Sequence, residues 1–218
     1  MARHRRSAVL VALLCAAVTL CACATSVAGR AVRAPGQKPP LISARDLLLQ
    51  DGERTPFGPA TASPLGSSYF TSARPPECSA ALLFEGSPLR PPGSADHAET
   101  AYRVGGQALY AESIDVYNDA LDPQTVAWKG FNAVSDCLGE AIGTSSAGEF
   151  KPMRLNGFAI PSTGVLAWTM TRDDWTCDYG LAVVPRVALL ISACDAKPGF
   201  PMADWAAQRR AQIDGRLA

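Results

Sequence analysis

Two apolar runs near the C-terminal end, 181–184 and 187–193, flank Pro185-Arg186, and Cys177 and Cys194 stand beyond their outer ends. A tight antiparallel turn centred on Pro185-Arg186 puts Cys177 directly opposite Cys194. Facing residues in such a pair bring their Cβ atoms within about 4.5–5.5 Å, close enough for a disulfide. The second run is rich in Val, Ile and Leu with little alternation, which suits a central strand covered on both faces. Proline and the β-branched residues count against a buried helix. Upstream, 165–171 alternates, with Leu166, Trp168 and Met170 on the inward side, and 150–158 reads as another strand. A strand over 107–117 puts Tyr110, Ile114 and Val116 on one face and Ser113, Asp115 and Tyr117 on the other. A weaker strand is expected at 102–105.

Helical spacing appears in four places. Ser43 can cap a short helix over 44–50, and Pro75-Pro76-Glu77-Cys78 opens a second that runs through Leu82, Leu83 and Phe84. Asp122-Pro123 pairs an N-cap acid with proline at the first helical position. The helix it starts carries Ala127, Phe131, Val134 and Leu138 on one face, with Cys137 in its last turn. A closing helix over 201–217 has Met202, Ala206, Ile213 and Leu217 on a common face. The intervening stretches 51–76, 86–99 and 143–148 read as loops. Strands joined by short links, with helices before, between and after them, predict an α+β fold: an antiparallel sheet with helices packed on it. About 175 ordered residues suit one domain, and no internal repeat is evident.

The N-terminal end belongs to a different category. Arg3, His4, Arg5 and Arg6 precede an apolar run over 7–20 that is short for a membrane span and reads as an export signal. Arg5-Arg6 has a faint twin-arginine look, but a signal this short fits the general secretion route. Leu20-Cys21-Ala22-Cys23 resembles a bacterial lipobox, with Cys23 as the acylated residue. An ordinary cut near Ala22-Cys23-Ala24 or Ser26-Val27-Ala28 is the plainer alternative. The expected organisation is a signal peptide over 1–22, a lipidated Pro/Gly-rich tether over 23–40 and a folded domain over 41–218. Two or more acyl chains hold a protein stably at a membrane, so the expected location is extracytoplasmic, lipid-anchored to the cell membrane.

Processing changes the charge and the cysteine count. Removing 1–22 leaves 17 basic against 20 acidic residues. No basic stripe remains, which argues against a nucleic-acid partner. Cys78, Cys137, Cys177 and Cys194 are the cysteines left unmodified, and an even number in an exported chain implies two disulfides. The hairpin selects Cys177–Cys194, which leaves Cys78–Cys137. A zinc site would need a C-x₂₋₄-C pair, and none is present.

Together, Pro75-Pro76-Glu77-Cys78, the strand after Gln107, the helix ending in Cys137, and Cys177-x₁₆-Cys194 with Ala193 before the last cysteine resemble the extracellular sensor domain of mycobacterial PknH-type serine/threonine kinases. The chain is similar to the stand-alone lipoprotein form of that domain, over about 41–218. The resemblance implies an antiparallel sheet with helices around a large cleft, the same two disulfides, and an extracytoplasmic small molecule or lipid held in the cleft. It also admits docking to another envelope protein, such as a kinase ectodomain. One departure stands out: where the family often places Trp shortly before its second cysteine, Val134 and Asp136 occupy the stretch and Trp128 lies two turns earlier. No kinase motif is attached.

Candidate chemistry is sparse. His97, the one histidine after processing, sits beside Asp96 and Glu99 like part of a triad, but a solvated loop histidine explains it. No G-x-S-x-G elbow or phosphate-binding G-x-x-x-x-G-K-[ST] loop occurs. Asp173-Asp174 could imitate the paired carboxylates of a glycosidase, yet neighbours on a strand point to opposite faces. Asp115, Asp119 and Asp122 lack calcium-loop spacing. Trp168, Trp175, Trp205 and Tyr110 could line a cleft or pack a core. The expectation is therefore a non-enzymatic binding domain without catalytic residues, metal or cofactor.

Overall fold

The computed structural model describes residues 42–218; the signal, Cys23 and the tether lie outside them. The first elements are α1 (Ala44–Leu47), β1 (Arg54–Thr55), β2 (Gly58–Pro59), β3 (Thr61–Ser63) and β4 (Ser72–Arg74). A 3₁₀ turn, Pro76–Cys78, leads into α2 (Ser79–Leu82), then β5 (Asp96–Arg103), β6 (Leu109–Val116) and α3 (Pro123–Ser135). The remainder is β7 (Glu140–Ser145), β8 (Gly148–Glu149), β9 (Met153–Ser162), β10 (Val165–Arg172), β11 (Trp175–Val184), β12 (Val187–Asp195) and α4 (Met202–Leu217). Ten strands form one antiparallel sheet in the order β3-β5-β6-β12-β11-β10-β9-β7-β4, with β8 beside β7.

The expected hairpin lies at its centre. Val184 pairs with Val187 around Pro185-Arg186, and Cys177 pairs with Cys194. In β12 every residue from Val187 to Cys194 is buried, because helices cover both faces. On one face, α2 and α3 pack over Leu166, Trp168, Met170, Tyr179, Leu181, Val183 and Leu190. On the other, α1 and α4 cover Tyr110, Ile114, Ala182, Val184, Leu189 and Ile191. The period-two pattern of each strand thus feeds two separate cores. At Gly180 α4 approaches so closely that a Cβ would lie 2.7 Å from the sulfur of Met202.

Several element boundaries differ from expectation. The first helix stops at Leu47, since Leu48 turns to extended backbone. Ser43 donates to Asp96 Oδ2 (3.2 Å) instead of capping its own helix, and Asp96 also accepts from the Ala44 N–H at 2.8 Å. Strand β5 covers His97 and Glu99, where a loop was expected, because polar partners rather than apolar ones cover that part of the sheet. The 143–148 stretch belongs to a tight β7–β8 hairpin. Strand β9 begins three residues late and runs to Ser162. Its pairing with β10 is broken by two register shifts. Its partner on the other side, β7, covers only Met153 and Arg154. Leu138 is 92% exposed, since α3 ends before it.

A buried polar network crosses the second core. Arg209 of α4 and Glu112 of β6 are both fully buried and form a two-pronged pair at 2.8 and 2.9 Å. Glu112 also accepts from the Tyr110 hydroxyl (2.8 Å) and the Leu49 N–H (3.1 Å), and Arg209 donates to the Leu47 carbonyl (2.9 Å). Burial alone pulls the guanidinium down, but the adjoining carboxylate outweighs it and raises the Arg209 pKa. Each charge is stable there only because the other is present. Glu112→Ala is therefore expected to lower stability by about 3–5 kcal/mol in denaturant unfolding. Glu112→Leu with Arg209→Met should lose less than the sum of the two single changes; full additivity would contradict the pairing.

Candidate functional site

The hairpin's alternation delivers Cys177 and Tyr179 of β11, with Ser192 and Cys194 of β12, to the face under α2 and α3. Cys177 and Cys194 are bridged, their Cα atoms 4.0 Å apart, and both are almost fully buried. In register with them lie Trp175 opposite Arg172, and Leu109 opposite Cys194. These side chains floor a cleft of about 330 Å³. Its walls come from Ser68, Tyr69 and Phe70 of the loop before β4, from Leu82 and Phe84 around the end of α2, and from Gln107 and Phe150. Most of the lining is aromatic or aliphatic, as is usual for small-molecule sites.

Covalent and hydrogen-bonded clips hold the walls. Cys78–Cys137 joins the start of α2 to the end of α3, with Cα atoms 4.5 Å apart across 59 residues of sequence. A four-residue helix leaves its last carbonyls without intrahelical partners. Here the Trp168 indole N–H donates to the Ala81 carbonyl (2.8 Å) and the Tyr179 hydroxyl to that of Leu82 (3.2 Å). Those two rings stack at 5.3 Å with planes 10° apart, so the sheet presents both donors as one unit. Ser145 donates to the Ser67 carbonyl, and the Thr71 N–H to that of Thr144 at 2.9 Å, clipping the wall loop to β7. Phe70 lies flat over Gly143, where a Cβ would fall 2.5 Å from the ring, and meets Phe150 edge-on at 5.0 Å.

Arg172 is the one charged residue among those lining the cleft, and its side chain is 20% exposed. Its Nε donates to Asp174 Oδ1 at 2.7 Å, and Lys151 donates to the other oxygen at 3.1 Å. Lys151 and then Arg172 hold the Asp174 carboxyl below the usual carboxylate range. Burial pushes the Tyr69 and Tyr179 phenols far up, so both remain neutral.

The other singled-out residues are scattered. Trp175 lines the cleft and Trp168 supports its wall. Trp205 and Tyr110 sit in the opposite core, the indole donating to the phenol at 2.7 Å. His97 is on β5, between Asp115 (3.2 Å) and Glu99 (3.3 Å), with Arg90 at 2.9 Å. Asp115 is buried against the guanidinium of Arg90 at 2.7 and 2.9 Å. Asp122 caps α3, accepting from the N–H groups of Gln124 and Thr125, while Asp119 is exposed. Trp128 is 49% exposed on the outside of α3. Among the described residues no group of three His, Cys, Asp or Glu side chains is placed to hold a metal ion. Sequence reasoning assigned none of Tyr69, Phe70, Phe84, Phe150 and Arg172 to a cleft, although it placed Phe84 on a short helix and Phe150 at the start of a strand. The first four lie in or beside stretches without periodicity, and Arg172 is one of many exposed-looking cations. Only the parity of Arg172 with Trp168 and Met170 could have assigned it to this face.

No family model matches the chain. Lipoprotein LprH of Mycobacterium bovis is 59% identical over 217 residues, covering 97% of this chain and 93% of that protein. The LprH proteins of two Mycobacterium tuberculosis strains match equally. The chain belongs to the LprH family of mycobacterial lipoproteins. Among solved structures, the extracellular domain of PknH from Mycobacterium tuberculosis superposes with a TM-score of 0.63 at 14% identity, over 81% of this chain and 98% of that one. The fold that the resemblance implied is thus present: an α+β domain with a large antiparallel sheet and both anticipated disulfides.

Gly143→Ala tests the wall. Displacing Phe70 from its seat is expected to lower stability by about 1–3 kcal/mol in denaturant unfolding. A crystal structure of the variant should show the ring rotated into the cleft, and an unmoved ring with unchanged stability would contradict the packing.

Proposed function

We propose that this protein is a lipid-anchored, extracytoplasmic binding protein of the cell envelope, a sensor-like domain holding a small apolar molecule or lipid in the cleft above Cys177–Cys194. In this reading residues 1–22 are removed, Cys23 is acylated, 23–40 form the tether and 41–218 form the binding domain. The lipobox and kinship with LprH lipoproteins support the anchor, and among the described residues no helix is long and apolar enough to cross a membrane. The observation that carries the binding function is the cleft itself, an open-roofed, largely apolar hollow rich in aromatic rings, whose walls are fixed by a disulfide and by Trp168 and Tyr179. Buried apolar lining of this kind gains free energy when a ligand replaces water.

Binding is preferred to catalysis because the one histidine of the processed chain is not among the cleft-lining residues and is engaged by Arg90 and Asp115. A second reading, docking of a kinase ectodomain or another envelope protein, draws on a row of rings on α3 and β9. Trp128 and Phe131 lie 5.3 Å apart, Phe131 and Phe158 4.8 Å, with Trp128 and Phe158 exposed. Exposed apolar patches of this sort mark contact surfaces.

Two experiments separate the parts. Metabolic labelling with radioactive palmitate should mark the wild-type protein and leave Cys23→Ala unlabelled; equal labelling would remove Cys23 as the anchor. In a thermal-shift screen of envelope lipids and glycans, at least one member should raise the melting temperature saturably. At a hundred times Kd the gain is about 2.7 kcal/mol. A flat screen, together with pull-down of a protein partner lost in Trp128→Ala, would favour docking instead.

A further inference from the structure

The cleft continues past its own end. A second hollow of about 390 Å³ shares Ser68, Tyr69 and Leu109 with the first. It extends to Ala101 and Arg103 of β5 and to Ser63 of β3. Register places these residues on neighbouring rungs: Arg172 faces Trp175, Cys177 faces Cys194, Cys194 faces Leu109, and Ser63 faces Ala101. The two hollows therefore adjoin in a trough that crosses β10, β11, β12, β6, β5 and β3 at one end of the sheet. With neighbouring strands about 4.8 Å apart, it is roughly 24 Å long.

Its polarity is uneven. Over the disulfide the walls are Tyr69, Phe84, Phe150 and Trp175. At the β10 end stands Arg172, four-fifths covered, with Asp174 taking only its Nε. Neither terminal nitrogen of that guanidinium has a hydrogen-bond partner among the described residues, leaving a two-pronged donor that matches a carboxylate or phosphate. A wholly apolar ligand would leave that fork unpaired beside an oily wall, at the expense of its hydration. A compact anion would leave the aromatic walls unused.

Building on the cleft reading above, we infer that the trough takes an elongated amphiphile with one apolar chain and an anionic head, the head on Arg172 and the chain lying across the strands over Cys177–Cys194 towards Tyr69. The head is a carboxylate or a phosphate monoester, which recommends a fatty acid or a phosphorylated lipid as its source. Arg103, at the far end, is exposed and takes no part in holding the head.

The test uses the full chain carrying Cys23→Ser, so that no acyl group of its own competes, and reads Trp fluorescence during titration with dodecanoate, dodecyl phosphate and dodecanol. At least one anion should bind saturably and at least about tenfold more tightly than dodecanol, the scale of one charge-assisted contact. Arg172→Met should erase that preference, whereas Arg103→Met should leave the preference for the anion over dodecanol intact. The tighter of the two anions identifies the head as carboxylate or phosphate. Equal binding of anions and alcohol, an unaffected Arg172→Met, or loss of the preference in Arg103→Met would overturn the head assignment while the cleft still binds. Binding of none of the three would overturn the amphiphile itself, and the lipid and glycan screen then decides separately whether the cleft is a site at all.

Discussion

Coverage of the central hairpin on both faces is the constraint from which the rest of this structure follows. A strand such as β12, buried from Val187 to Cys194, cannot shift by one residue without exchanging the contents of two cores. Leu189 and Ile191 would enter the space above the cleft, and Cys194 would leave its partner. The disulfide, the cleft floor and the seat of α4 are fixed together by that register.

The two cores solve different problems. Beneath α1 and α4 the space is closed and includes an ion pair, Glu112 with Arg209, whose lone pairs and protons are used by Tyr110, Leu47, Leu49 and Gln212. A satisfied charged network in a dry interior gives orientation more than net stability. Here it ties the first helix and the last to one strand. On the opposite face α2 is a single turn and much of the cover beside it is loop, so the roof is incomplete, and the gap is the cleft. Two disulfides and the Trp168–Tyr179 stack compensate for the apolar contact missing there. On the chain-entropy model, loops of 17 and 59 residues correspond to about 3 and about 4 kcal/mol.

The sequence was legible where burial follows a period and silent where it does not. The hairpin, β10, the long helix and both disulfides could be read because apolar spacing and cysteine parity agree. Strand β5 could not, because His97 and Glu99 face polar partners and break the alternation that marks a strand. The short first helix was overestimated, since Leu47, Leu48 and Leu49 are all buried though only the first is helical. The cleft was foreseeable only in kind. Its floor was implied once Cys177 and Cys194 were paired. Its walls come from 66–71, 82–84 and Phe150, whose meeting is a matter of tertiary placement that no local spacing encodes. Gly143 makes the point: nothing in its neighbourhood announces that a phenyl ring 73 positions earlier in the chain will rest on it.

The free side of β9 bears on how copies of this domain meet one another. On the β7 side, beyond Arg154, that strand has no paired strand among the described residues, and it contains Pro161 and two breaks in register with β10. Proline removes a donor and bulges twist the rim, so a second copy finds no continuous ladder to extend. Molecules confined to a plane, as the proposed anchor would confine these, meet far more often than molecules free in three dimensions, and an intact rim would invite them to stack into ribbons. Interrupting it leaves that edge a poor template for a second copy.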